Sequence, residues 1–371
     1  MPPLHVAIAV LAGTTGGPAS YGIRLVQALR LVDDVRVTVV TDRPAAFASF
    51  GAEVIDLPMR GGLDRLRWQY LALPKLLRRL RPDVYHDTKN ALPKRLPAPA
   101  VVTVHDLAYH TVPATFGFAS RLFLRWATRD AVRRAAAIVV PSQATADDLR
   151  RIHPRSQGRV CVVPHGIDPA PTIAAEQLAA VRARLRLPER FVLHVGTVQA
   201  RKNVHLVVGG VRQLRAQMPG LRAVLVGRGG WLAAEAMAAI EADDTAVWLP
   251  HLPVDDLAAV YALADAFVSP SAYEGFGLAV ADALAAGVPT IVSDVSSLPE
   301  LCGDAALRLP ALTADAVAAT LASVLLVPAT AARLRAAGPA RARAFRWPDA
   351  ARGHAAAYRR AAGRPEPSER A

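Results

Sequence analysis

Cysteine is almost absent: Cys161 and Cys302 are the two in a chain of 371 residues. Two isolated thiols build no disulfide framework, and no metal-ligand spacing surrounds them, so both read as small buried hydrophobes. Aromatic residues are scarce, at 6%, and no basic run is interleaved with them as in a nucleic-acid-binding module, so no nucleic-acid partner is expected. No apolar stretch reaches the roughly 18 residues that a membrane-spanning helix needs. The amino-terminal run MPPLHVAIAVLAG lacks the basic region of a secretory signal and reads as a first strand. No Asp-x-Asp triplet occurs, so nothing in the sequence points to a carboxylate-held metal. The expectation is a protein of the cytoplasm, either free or peripheral at the inner face of the membrane, with no cofactor and no metal.

With 52% hydrophobic residues, a chain of this length can bury two cores of ordinary size. Its net charge of +13 is unevenly placed: residues 1–170 hold 23 Lys/Arg against 13 Asp/Glu. A basic amino half suits acidic substrates or an anionic membrane surface. Two helical patterns there are themselves basic, at residues 63–80 and 121–136. Each reads either as a surface helix packed on its domain or as a membrane-facing surface.

The chain is organised around residues 269–304, SPSAYEGFGLAVADALAAGVPTIVSDVSSLPELCGD. Residues 264–268 read as a short strand that ends at Ser269-Pro270. Tyr273-Glu274-Gly275-Phe276-Gly277 then places a carboxylate among glycines, and residues 278–286 are helix-compatible until Gly287. At such a strand–loop–helix junction the first helix amides, from Gly277 and Leu278 onward, lack intrahelical partners and polarise the space for phosphate. An acid beside a phosphate pocket is better suited to neutral hydroxyls, so Glu274 points to a phosphorylated ligand that carries a sugar. Residues 288–292 form the next buried strand and complete a βαβ unit, with its ligand side at the carboxyl ends of the strands.

Strand-to-loop junctions recur along the chain. Residues 5–11 run into Gly13-Thr14-Thr15-Gly16-Gly17, which lacks GxGxxG spacing. That loop reads as a tight turn or as a close backbone approach to a ligand at Gly16 and Gly17. Residues 101–104 end in His105-Asp106-Leu107, a histidine that is either structural or turned to a ligand. Residues 160–163 precede Pro164-His165-Gly166-Ile167-Asp168. Residues 191–195 end in Gly196, followed by Arg201-Lys202-Asn203 at a helix start, where two cations and the free amides suit a diphosphate. Residues 223–226 end in Gly227, and residues 246–249 end in Pro250-His251-Leu252.

In this order, the HDL, PHGID, RKN and EGFG runs, a second acid at Asp282 and the FxWxxA run at 345–350 resemble the retaining glycosyltransferases of family 4, also called group 1, and among them a bacterial mannosyltransferase-like subgroup. The resemblance implies an α/β GT-B fold: two Rossmann-like doubly wound domains facing a cleft, with the C-terminal helix crossing back to the first. The implied divisions are an acceptor-binding domain at 1–170, a nucleotide-sugar-binding domain at 171–347, the returning helix at 348–363 and a disordered tail at 364–371. His105, Glu274, Arg201 and Lys202 are implied as the catalytic group, with His105 near the transferring sugar. Donor binding is implied for Gly16, Gly17, Gly196, Arg201, Lys202, Gly227, Leu252, Glu274, Gly275, Phe276, Gly277, Leu278 and Asp282. Within that set Glu274 takes sugar hydroxyls, Asp282 the ribose, and the turn at Leu252 the base.

Tyr109, His110 and the loop to Phe118 are expected to contribute to acceptor binding. Asp282 stands where the family usually has glutamate, and Thr197 where many members have arginine. The implied reaction is metal-independent retaining transfer of a hexose, mannose before others, from a GDP- or UDP-sugar. The acceptor is a hydroxyl of a glycan, a lipid-linked sugar or a natural product. The alternative readings are a non-catalytic sugar-nucleotide-binding scaffold of the same fold, or a sugar-nucleotide epimerase.

Overall fold

Short aliphatic and β-branched runs, buried on both faces, form two all-parallel sheets, the pattern expected when helices cover each side. They are seen in a computed structural model that describes residues 2–11, 17–57, 67–230, 234–241 and 244–365. The chain divides into two units, Met1–Leu107 with Leu122–Gly166 and Phe345–Ala371, and Ala108–Arg121 with Ile167–Ala344.

The sheet of the first unit holds β1 (Leu4–Val10), β2 (Val35–Thr41), β3 (Glu53–Asp56), β4 (Val84–Asp87), β5 (Ala100–Thr103), β6 (Ala137–Val140) and β7 (Val160–Val162). Their order is β3-β2-β1-β4-β5-β6-β7. In the second unit are β8 (Arg190–Val195), β9 (Leu221–Val226), β10 (Ala246–Leu249), β11 (Ala266–Ser269), β12 (Thr290–Ser293) and β13 (Ala306–Leu309), ordered β10-β9-β8-β11-β12-β13. Both are doubly wound: the strand order reverses between β1 and β4, and between β8 and β11. Sheets of this kind take ligands beyond the strand ends at the reversal.

The returning C-terminal helix, Trp347–Ala361, packs on the helix Gly17–Leu29. Small side chains at Ala350, Ala351, Ala355 and Ala357 let it sink into the core of the first unit. At its start the Trp347 ring lies over Gly166, where a β-carbon would come within 2.3 Å of Cγ. Gly166 of the PHGID run is therefore the seat of the FxWxxA tryptophan. At its end Arg359 makes a two-pronged pair with Asp34, Nη2 to Oδ1 at 2.7 Å and Nε to Oδ2 at 3.0 Å.

Between these ends a buried polar relay crosses from the helix to the sheet, and each of its protons has one consistent place. His354 Nδ1 donates to the Ala350 carbonyl at 2.7 Å, so its Nε2 accepts from the Tyr21 hydroxyl at 2.6 Å. The Tyr21 oxygen then accepts from Thr103 Oγ1 at 3.0 Å, and Thr103 accepts from His86 Nε2 at 2.8 Å. His86 Nδ1 is left to accept from the Tyr358 hydroxyl at 2.8 Å. Protonating either imidazole breaks the sequence, because each ring must accept once.

Some elements differ from the sequence expectation. The helix expected over 63–80 begins, within the described residues, as a π-type turn at Trp68–Ala72 before Leu73–Leu80; residues 58–66 lie outside the described residues. β13 and the helix Ala175–Arg184 were not expected. The ALRL sequence of β13 puts an arginine into an edge strand, and the 175–184 helix is alanine-rich and buries none of its residues, so neither shows a buried-face period. Residues 366–371 of the expected tail also lie outside the described residues.

Burial lowers the basicity of these imidazoles: His86 and His165 lie well below the ordinary histidine range, and His354 is pushed down to about 4. Unfolded, they titrate near 6.5. Between about pH 6.5 and 4 the unfolded chain therefore binds more protons than the folded one, and stability falls as pH drops through that window while staying flat above it. Urea midpoints followed by tryptophan fluorescence should decrease from pH 7 to pH 5. Tyr358→Phe, which leaves His86 Nδ1 without a donor, should cost about 1–3 kcal/mol at pH 7. A midpoint indifferent to both changes would contradict the relay.

Candidate active site

In the second unit, the loops that follow β8 and β11 meet where the strand order reverses. Asn203, in the left-handed region at φ 49°, starts the helix Val204–Leu214, and its Nδ2 donates to the Pro270 carbonyl at 3.0 Å. The Ala272 amide donates to the Arg201 carbonyl at 2.7 Å. With the loops joined in this way, Arg201 Nη1 donates to the Tyr273 carbonyl at 2.7 Å and stands 3.4 Å from Glu274 Oε2. Lys202 Nζ pairs with Glu274 Oε1. The loop after β12 closes the third side: the Glu274 amide donates to Ser296 Oγ at 2.8 Å, and Ser297 Oγ donates to the Glu274 carbonyl at 2.9 Å.

Glu274 is 7% exposed. Burial alone would raise its pKa, but the charge of Lys202, then that of Arg201, with hydrogen bonds from Lys202 and Ser271, outweighs it and brings the carboxyl down to about 2. The trio is thus one anion between two cations, carrying a single surplus positive charge. Immediately after it, Gly275 and Phe276 are buried and Gly277 takes φ 96° to begin the helix Leu278–Ala285. A β-carbon at Gly277 would lie 2.9 Å from Leu298 Cδ2, so the turn that opens these amides needs glycine for both reasons. Asp282 is half-buried on that helix, and its charge, after burial, pushes the Tyr261 phenol up.

Gly196 and Gly227 end β8 and β9 side by side. A β-carbon on Gly227 would sit 2.0 Å from the Gly196 carbonyl oxygen, so the two strand ends can run this close only without a side chain at Gly227. Trp248 Nε1 donates to the Gly227 carbonyl at 2.8 Å, and Leu252 is buried at the turn beyond β10. One residue in this region was missed in the sequence. His194, 1% exposed in β8, donates from Nδ1 to the Val268 carbonyl at 2.9 Å. Its Nε2 has no partner among the described residues and lies 3.6 Å from where a Gly196 side chain would start, with Lys202 Cε 3.7 Å from the same point. Burial holds the ring neutral, down to about 4. Inside an apolar strand it reads as a core residue, and only the adjacent glycine hints otherwise.

In the first unit, His105 follows β5. Its Nε2 donates to the Thr88 carbonyl at 2.8 Å, which leaves Nδ1 as an acceptor, and burial lowers its pKa. The ring stands edge-on to Tyr21, with centroids 4.9 Å apart, and 5.7 Å from His165. The polar relay of the C-terminal helix therefore supports His105 from behind. Gly17 begins the helix Gly17–Leu29, and Gly16 lies outside the described residues.

Residues 15–171 match Glycosyltransferase Family 4, and residues 180–341 match Glycosyl transferases group 1. The chain is 29% identical to the O-antigen chain mannosyltransferase B of Escherichia coli over 280 residues, 73% of this chain and 72% of that relative. It is 32% identical to a D-inositol 3-phosphate glycosyltransferase of Segniliparus rotundus over 244 residues, 62% of this chain and 53% of that one. The crystal structure of Anabaena HepE in complex with UDP-glucose superposes with a TM-score of 0.76 at 17% identity, covering 95% of this chain and 98% of that one. This chain belongs to the GT-B glycosyltransferases of family 4 and group 1 type.

Lys202→Met would leave Glu274 buried with one cation. Removing a partner from a buried pair costs about 3–5 kcal/mol, which urea unfolding at pH 7 should register. The gap to the wild type should narrow toward pH 5, where the abandoned carboxyl can take a proton. A gap that is absent, or that widens in acid, would contradict the described electrostatics.

Proposed function

We propose that this glycosyltransferase moves a hexose, mannose in preference, from a nucleotide diphosphate sugar to a hydroxyl of a glycan or lipid-linked acceptor, with retention at the anomeric carbon and without a metal. The observation that carries this reading is the ionised Glu274 clasped by Arg201 and Lys202 at the strand-order reversal, beside the free helix amides that start at Gly277. The mannosyltransferase relative supports the choice of sugar, and the UDP-glucose complex of a similar fold supports a nucleotide-sugar donor.

In this account the C1–O bond to the diphosphate breaks while the C1–O bond to the acceptor forms on the same face, and the acceptor proton passes to a phosphate oxygen. Negative charge gathers on the departing diphosphate. Arg201, Lys202 and the amides near Gly277 stabilise it, the kind of preorganised electrostatics that contributes most in a water-poor site. Two fixed cations supply there the charge that a divalent ion supplies elsewhere. Glu274 accepts hydrogen bonds from sugar hydroxyls and does not attack C1. Asp282 takes the ribose, and the turn at Leu252 meets the base. The bare Nε2 of His194 accepts from Lys202 or from a donor hydroxyl once Glu274 turns to the sugar. His105, with Nδ1 open, accepts from the transferring sugar.

Calorimetric titration with GDP and with UDP, each with and without EDTA, tests the donor. GDP should bind more tightly, and EDTA should leave both titrations unchanged. Preference for UDP would move the donor to a glucose-type sugar, and loss of binding in EDTA would overturn metal independence. NMR of the product should show the donor's own anomeric configuration; inversion would overturn the mechanism. Glu274→Ala should cut turnover by roughly 10²–10³ with nucleotide affinity little changed.

A further inference from the structure

The helix Phe118–Arg134 is built inside out. Its buried residues are the small ones, Ala127, Thr128, Ala131 and Val132, whereas Phe118 is 73% exposed, Leu122 60%, Phe123 50% and Trp126 48%. A solvated surface helix does the reverse. At about 100° per residue, Phe118, Leu122 and Trp126 fall within an arc of about 80°, and Phe123 lies about 60° beyond. Arg129 and Arg133, both exposed, fall inside the same arc in the turns that follow. Arg121 sits with its guanidinium 5.6 Å from the Phe118 ring centroid, and the Phe123 and Trp126 rings are 6.2 Å apart. Asp130, the one acid of the helix, is neutralised by Arg134, which itself donates to the Leu92 and Pro93 carbonyls. The outward face is therefore large, apolar and positively charged.

We propose that this face docks on an anionic lipid surface. Its aromatic and leucine side chains would enter the headgroup boundary, and Arg129 and Arg133 would meet lipid phosphates. Charge selects this occupant. A second copy seated on the same patch would add further arginines and no free acid, because Asp130 is already paired with Arg134, whereas anionic lipid complements the arginines and also accepts the apolar residues beside them. The basic surplus of residues 1–170 acts in the same direction. No single described helix is long and apolar enough to cross a membrane, so the contact is one of lying on the surface. The proposal is independent of the donor-site reading and can fail or hold without it.

Co-sedimentation of the full chain with vesicles of phosphatidylcholine, alone or mixed with phosphatidylglycerol, tests it at ~0.1 M salt. Binding should require the anionic lipid and weaken as salt is raised. The triple change Leu122→Ser, Phe123→Ser, Trp126→Ser, and separately the pair Arg129→Glu, Arg133→Glu, should each weaken vesicle binding by at least roughly tenfold. Thermal midpoints by circular dichroism should stay unchanged, because these side chains face outward. Failure of the folded wild type to bind anionic vesicles would overturn the proposal, as would variants that bind like the wild type. A dimer by light scattering that the triple change dissolves, with no vesicle binding, would overturn it in favour of self-association.

Discussion

A carboxylate almost sealed from water stays ionised only if its charge is cancelled nearby, and in this chain the nearer of the two cancelling groups, Lys202, lies 72 residues away in sequence. Lys202 and Arg201 come from the loop after β8, and Glu274 from the loop after β11. Those two loops are neighbours because the strand order reverses between β8 and β11. The ion pair can therefore form only when the second sheet is wound correctly. The hydrogen bonds from the Asn203 side-chain amide to the Pro270 carbonyl and from the Ala272 backbone amide to the Arg201 carbonyl hold the loops in the register that the charges need. In the absence of ligand the cluster keeps its anion and cations in place at the expense of one another. A diphosphate arriving at the cations and hydroxyls arriving at the carboxylate would then replace contacts already formed, with little reorganisation left to the reaction.

The first unit meets a comparable demand with neutral groups. A C-terminal helix that carries histidine and tyrosine into a core must satisfy every donor and acceptor it buries. The relay through His354, Tyr21, Thr103, His86 and Tyr358 does this with one proton arrangement. That arrangement ties residues near both ends of the chain to β4 and β5, and it places Tyr21 against His105. Trp347 seated on Gly166 fixes where the helix begins. The same residues that make the returning helix fit thus set the orientation of the histidine after β5.

Most of the strands were legible because a parallel sheet covered on both faces reads as uninterrupted Val, Ile, Leu and Ala. The stretches around Glu274 and Arg201-Lys202 were legible because charge between a strand and a glycine-started helix has few structural uses. Their pairing was not. Read along the chain, the acid belonged to the sugar and the cations to the phosphates, and nothing local shows that they hold one another. His194 was hidden by its apolar strand. The basic helix expected at 121–136 is present as Phe118–Arg134, but which of its two readings its packing favours was not legible, because only the structure shows its small residues turned inward and its large ones turned out. β13 was missed because an edge strand with an arginine in it carries too little period.

The central claim is that Lys202 and Glu274 act as one unit in the second domain. The most direct measurement is turnover of the sugar nucleotide by the wild type, Lys202→Met, Glu274→Gln and the double variant, under conditions where all four are folded. If the pair works as a unit, the double variant should be about as slow as the slower single variant, since the second change removes an interaction already lost. Losses that multiply, each independent of the other, would mean that the two residues serve separate steps and that the ion pair is incidental to the chemistry.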